Sequence, residues 1–166
     1  MIPLYEIDNF MVSTFKEQDF IDFCNTILGE QLDIYVQVDK RFLAEKSNYI
    51  YIANFERFDN KESPREELYR CFIDFVIDLN DPVNIDNVTK HIEKEALEKV
   101  VIYAIQSIQK NLKSDGITDD KGDINRKLKL LSATTNIAET DGADTIKCVV
   151  PISLGITNKT IGECQV

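Results

Sequence analysis

Between Asp86 and Leu112 the chain carries one long run of helical periodicity. Val88, Ile92, Ala96, Val100, Ala104 and Ile108 form a row spaced by four, and Leu97, Val101, Ile105 and Leu112 form the adjacent row. Two adjoining rows make a broad apolar stripe, the pattern of a helix lying on a sheet. The drift of the rows is that of a straight helix, not of the strict seven-residue repeat of a coiled coil. Such a helix would be about 40 Å long.

The segments around it read mainly as strands. Leu32, Ile34, Val36 and Val38 alternate with Asp33, Tyr35, Gln37 and Asp39, which predicts a half-buried strand. Tyr49 to Phe58 is rich in aromatic and β-branched residues and predicts a second. A third follows a turn over Asp59–Glu66. Its one face holds Tyr69, Cys71, Ile73, Phe75, Ile77 and Leu79, and its other face Arg70, Phe72, Asp74, Val76 and Asp78. The second and third strands form a long antiparallel hairpin. Lys127–Ile137 and Thr145–Ile156 predict two closing strands, joined through Asp141-Gly142, a strong hairpin signal. A shorter helix opens at Thr14, where Thr14 and Glu17 have capping-box spacing, and stops at Gly29. Residues 1–13 show no clear period and read as an N-terminal arm, and residues 157–166 read as a C-terminal tail. The expectation is one α+β domain over residues 14–156. Its antiparallel sheet has about five strands with two helices packed on it, in the order α-β-β-β-α-β-β.

Charge narrows the partners. Nineteen basic residues stand against 29 acidic ones, a net charge of −10, and tight nucleic-acid binding needs the opposite balance. Cys24, Cys71, Cys148 and Cys164 are widely spaced, and three lie in apolar runs, as buried thiols of a reducing compartment do. No apolar run reaches the length of a membrane span, and the first residues lack the pattern of a signal peptide, so a cytoplasmic protein is expected.

Chemistry-bearing motifs are sparse. The one histidine, His91, falls in the first turns of the long helix and reads as a surface residue. No cofactor or metal site is expected. Asp74 and Asp78 share a strand face, with Glu56 on the neighbouring strand, and paired carboxylates can hold Mg²⁺ or transfer protons. They serve equally as the solvated face of a sheet. Asp115, Asp119, Asp120, Asp123 and Asn125 match a calcium loop in composition only, without its register. Asp119-Asp120-Lys121 sits in a loop rather than on the strand a nuclease would need. Asn158-Lys159-Thr160 is a glycosylation sequon that a cytosolic chain would not use.

The succession of helix, three-strand meander, long helix and terminal hairpin resembles the tail-completion proteins of tailed bacteriophages, also called tail terminators or minor neck proteins. The strand textures of Tyr69–Asp78 and Ile146–Ile152 carry the closest likeness. The resemblance implies a structural virion protein without enzymatic activity, assembled in the host bacterial cytoplasm. It implies a homo-oligomeric ring, six- or twelve-fold, beside portal, neck or tail proteins. Double-stranded DNA would pass through the ring without specific binding. An acidic lumen would keep that polyanion from sticking. The loop Lys113–Arg126, with Asp115, Asp119, Asp120 and Asp123, and the hairpin tip Asp59–Glu66 are candidates for its lining or rim. Leu4, Ile7, Ile161 and Val166 are candidates for arms that dock on neighbouring subunits. The competing reading is an intracellular binding module, a dimeric adaptor; a metal-dependent enzyme using Asp74 and Asp78 comes third.

Overall fold

The computed structural model describes residues 1–59, 67–139 and 144–156, and for Phe58, Asp59 and Glu139 the backbone only. The turn over residues 60–66, the Asp141-Gly142 connection, the tail with Ile161 and Val166, the sequon and Cys164 therefore lie outside the described residues.

The chain opens with two helices, α1 (Leu4–Phe15) and α2 (Gln18–Leu28). Strand β1 (Asp33–Val36), the single turn α3 (Lys40–Leu43), β2 (Tyr49–Ile52), β3 (Glu56–Asp59) and the long β4 (Glu67–Asp78) follow. A small ribbon, β5 (Val83–Ile85) and β6 (Val88–Lys90), precedes the long helix α4 (Ile92–Ser114). After it come the short β7 (Ile117–Thr118) and β8 (Ile124–Asn125), then β9 (Lys129–Ala133), β10 (Asn136–Glu139) and β11 (Thr145–Ile156). The class is α+β with a mostly antiparallel sheet, as the sequence predicts.

Strands β4 and β11 are the centre of the sheet, paired antiparallel from Asp78↔Thr145 to Glu67↔Ile156. On one side β2 and β3 take successive lengths of β4, and β1 lies outside β2. On the other side β9 and β10 take successive lengths of β11. The predicted strand over residues 49–58 is thus two. One extra residue lies between Ile52↔Ile73 and Glu56↔Arg70, a bulge that reverses the facing of the chain. Hence Ile50 and Ile52 are buried before it and Phe55 after it. The β1–β2 pair is parallel, because α3 carries the chain back across the sheet between them.

Three helices, not two, cover one face. The odd positions Tyr69 to Ile77 of β4 and the even positions Ile146 to Leu154 of β11 meet Leu97, Val100, Val101, Ala104, Ile108 and Leu112 of α4 in one core. The N-terminal segment joins that core. Ile2, Ile7, Phe10, Met11 and Phe15 are buried, and Phe15 packs edge-on to Phe75 with ring centroids 5.9 Å apart. Residues 1–13 are therefore not an extended arm. Ile7, fully buried, is an internal residue rather than a docking residue, whereas Leu4 is 39 % exposed. The helix pattern of α1 is masked in the sequence because two polar residues, Asp8 and Thr14, lie on its buried face. Thr14 is inside α1 and does not cap a helix; its hydroxyl accepts from Asn111 Nδ2 (3.2 Å), which also donates to Glu17.

The long helix begins at Ile92, not Asp86. Asp86 (φ 52°) and Asn87 (φ 66°) are left-handed, a conformation these two residue types tolerate, and they turn β5 into β6. Val88 accordingly belongs to an exposed strand, and His91 precedes the helix as its N-cap. Its Nδ1 lies 2.9 Å from Asn80 O, which requires the proton on that nitrogen.

Candidate functional site

Because alternate strand residues point to opposite faces, the face of the sheet away from α1, α2 and α4 presents Arg70, Phe72, Asp74, Val76 and Asp78 of β4 and Lys147, Val149, Pro151 and Ser153 of β11. One end is covered. Leu43 packs on Tyr49 and Val76, with Tyr35, Val38 and Tyr51 around them, and the Tyr51 hydroxyl donates to Val38 O (3.2 Å). The rest is open. Phe72 is 56 % exposed beside its cross-strand partner Pro151.

Two hollows mark this face. One, about 400 Å³, is lined by Lys40, Lys46, Tyr49, Tyr51, Asp74 and Lys147 among others. Burial pushes the Asp74 carboxyl up, and Lys147 and Lys40 partly offset that. Burial likewise pushes the Tyr49 phenol up, aided by the charge of Asp74. The other hollow, about 420 Å³, is walled by Glu56, Arg70, Phe72, Pro151 and Ser153. Three lysines around one hollow are a local excess of positive charge on a chain of net −10.

The carboxylates singled out in the sequence do share this face but do not converge. Asp74 and Asp78 are four residues apart on one strand, about 13 Å at 3.3 Å per residue. Glu56 pairs opposite Arg70, as far again in the other direction. Asp78 is engaged by Asn48, whose Nδ2 donates to Asp78 Oδ2 (2.9 Å) and whose Oδ1 accepts the Asp78 N–H (3.0 Å). Among the described residues no three His, Cys, Asp or Glu side chains stand close enough to hold a metal ion. A third hollow, about 510 Å³, lies between α2 and the start of α4 and carries Glu30, Asp78, Glu93 and Glu95 against Lys99.

The acidic loop is more ordered than its composition implies. Gly116 (φ 69°) starts the β7–β8 ribbon, where an added Cβ would meet Asn125 O at 2.4 Å. Asp119 accepts from the N–H groups of Lys121 and Asp123, both at 2.9 Å, and the Asp123 amide chiefly holds its carboxyl below the usual range. The Asp120 N–H donates to Met1 O (2.9 Å), tying the ribbon to the N-terminal segment. Asp115 is the C-cap of α4, and Asp123 is exposed. The structure thus brings these four aspartates together at one end of α4, two of them engaged in holding the loop.

Sequence reasoning missed the β5–β6 ribbon. Its six residues are all exposed, and Val83, Ile85 and Val88 make an apolar face that none of the described residues covers, with Ile92 (48 % exposed) just beyond it. The signal was Asp86-Asn87, a left-handed turn pair between two short β-branched runs. No helix among the described residues is long and apolar enough to cross a membrane. No family model matches the chain, and no curated protein matches it.

Proposed function

We propose that this chain is a structural virion protein of a tailed bacteriophage. Identical copies form a six- or twelve-fold ring in the head–tail connector or tail-completion layer, and double-stranded DNA passes through it without specific binding. The observation that carries this reading is a domain with a closed core that still presents two exposed apolar surfaces, which none of the described residues covers, the Phe72–Pro151 sheet face and the β5–β6 ribbon. Exposed strand surfaces invite association, and a heterologous contact between unlike surfaces closes into a ring when its rotation divides the circle. Net charge supports the DNA path, because about −60 for six copies or −120 for twelve repels a polyanion. Within this reading the protein is assembled in the host bacterial cytoplasm and resides in the virion, beside portal, neck or tail proteins.

Particle mass of the full-length protein, alone and with its neck partner, tests the proposal, together with its presence in purified virions. Six or twelve copies support it. A monomer under every assembly condition, missing from virions, overturns it, and a closed dimer favours the adaptor reading.

A further inference from the structure

We propose that the β5–β6 ribbon of one subunit docks on the Phe72–Pro151 face of the next copy of this chain. This rests on the ring reading and names its contact. The ribbon is a two-stranded antiparallel sheet; one side carries Val83, Ile85 and Val88, with Lys90 opposite Val83 at its base, and the other side is polar, where Asn84 Nδ2 donates to the Thr89 hydroxyl (3.0 Å). A two-stranded ribbon has too little buried surface to hold itself together in water. Its apolar side therefore needs a partner surface.

Charge selects the occupant. The turn of the ribbon carries Asp86, and Asp81 lies at its base, while Lys90 is drawn to Glu95 (3.6 Å). The ribbon thus ends in negative charge. The open sheet face offers an apolar surface at Phe72 and Pro151 and the lysine-lined hollow beyond it. Dimensions agree. Each arm of the ribbon is about 10 Å long, and Pro151 lies about 13 Å along β11 from Lys147. With Val83, Ile85 and Val88 on Phe72 and Pro151, the Asp86 turn reaches the lysines. The two surfaces are different patches of the same chain, so the contact is head-to-tail and propagates around a ring.

Cysteine cross-linking tests the contact in the full-length chain with Cys164→Ser, where the described native thiols, Cys24, Cys71 and Cys148, are buried. Val88→Cys and Ser153→Cys place thiols on the ribbon and in the sheet hollow without touching the core. Mixing the two single variants is expected to give a cross-linked dimer that neither gives alone. A chain carrying both is expected to give a ladder ending at the ring size. Ile85→Asp should raise the concentration needed for assembly by about tenfold or more, as removing a central apolar anchor does. Self-linking of Val88→Cys would mean ribbon-to-ribbon pairing and overturn the proposal. Absence of any cross-link between the two variants, although they assemble as the wild type does, overturns this contact and leaves the ring reading standing. Cross-linked species that never close keep the contact and remove the ring.

Discussion

Val100→Asp tests the facing of the long helix, on which the position of every other element depends. Val100 is fully buried in α4, within the core shared with β4 and β11. Two costs add. Removing the burial of a valine side chain loses about 1.5–3 kcal/mol. The new carboxyl must then be ionised in the core or kept neutral there. Fully buried acids shift upward by about 3–5 units, which keeps this one largely neutral at pH 7, and holding an acid of ordinary value near 3.9 neutral at that pH costs about 4 kcal/mol at 1.36 kcal/mol per unit. No cation offsets it, since the buried polar and charged side chains among the described residues are Asp8, Thr14 and Asn111. The sum, about 5–7 kcal/mol, is comparable with the whole stability of a domain. Urea unfolding followed by far-UV circular dichroism is the assay, with Val100→Ala beside it. The alanine variant should unfold cooperatively at a lower midpoint. The aspartate variant should lack a folded baseline at pH 7 and recover part of it near pH 4, where the acid needs no shift to be neutral. An unchanged midpoint for Val100→Asp would show that Val100 faces solvent and that α4 is turned about its axis.

Tyr69→Phe should cost about 1–3 kcal/mol in the same assay, because the Tyr69 hydroxyl accepts the buried Ile2 N–H (3.1 Å) and donates to Glu67 Oε2 (2.9 Å), and the amide is left unpaired without it; equal midpoints would remove that bond. Asp8 is buried with one carboxyl oxygen unpartnered, and burial raises its pKa above the unfolded value. A raised acid stabilises the fold below the unfolded value near 3.8 and loses that contribution as pH rises through the folded value. The stability of the wild type relative to Asp8→Asn should therefore fall as pH rises from about 4, and a pH-independent difference between the two would place Asp8 in water. Asp115→Lys combined with Asp123→Lys avoids the aspartates that hold the loop. It should slow DNA ejection at low salt by gripping phosphates, with the effect fading as salt rises. Ejection kinetics equal to wild type at low salt would place this loop away from the channel.

The sheet was legible where burial is one-sided. Alternation over Tyr69–Asp78 and Ile146–Ile156 specifies two central strands, and any slip by one residue would expose every core side chain. The body of α4 was legible for the matching reason, a continuous stripe over Leu97–Leu112. Its start was not, because Val88 stands four residues before Ile92 and continues the row by coincidence, and only the left-handed pair Asp86-Asn87 contradicts it. The N-terminal helix escaped notice because Asp8 and Thr14 interrupt its apolar face, and both are accommodated by partners distant in sequence, Gln37 and Asn111. Tertiary hydrogen bonds of that kind leave no periodic trace.

The surfaces proposed for assembly escaped the sequence for a related reason. Phe72 alternates with Cys71 and Ile73 like any strand residue, so nothing local tells which face the helices leave open. That is decided by β11, whose odd positions put Pro151 and Lys147 beside Phe72 and Val76, and by α3, which closes only the Tyr49–Val76 end. The ribbon has the opposite origin: the left-handed pair Asp86-Asn87 turns its two strands, while none of the described residues complements its apolar side. The proposed ring contact would serve both at once, because the same association would bury the ribbon and complete the sheet face. It also accounts for the charges. In the proposed contact the turn carrying Asp86 would meet a hollow where Lys40, Lys46 and Lys147 outnumber Asp74.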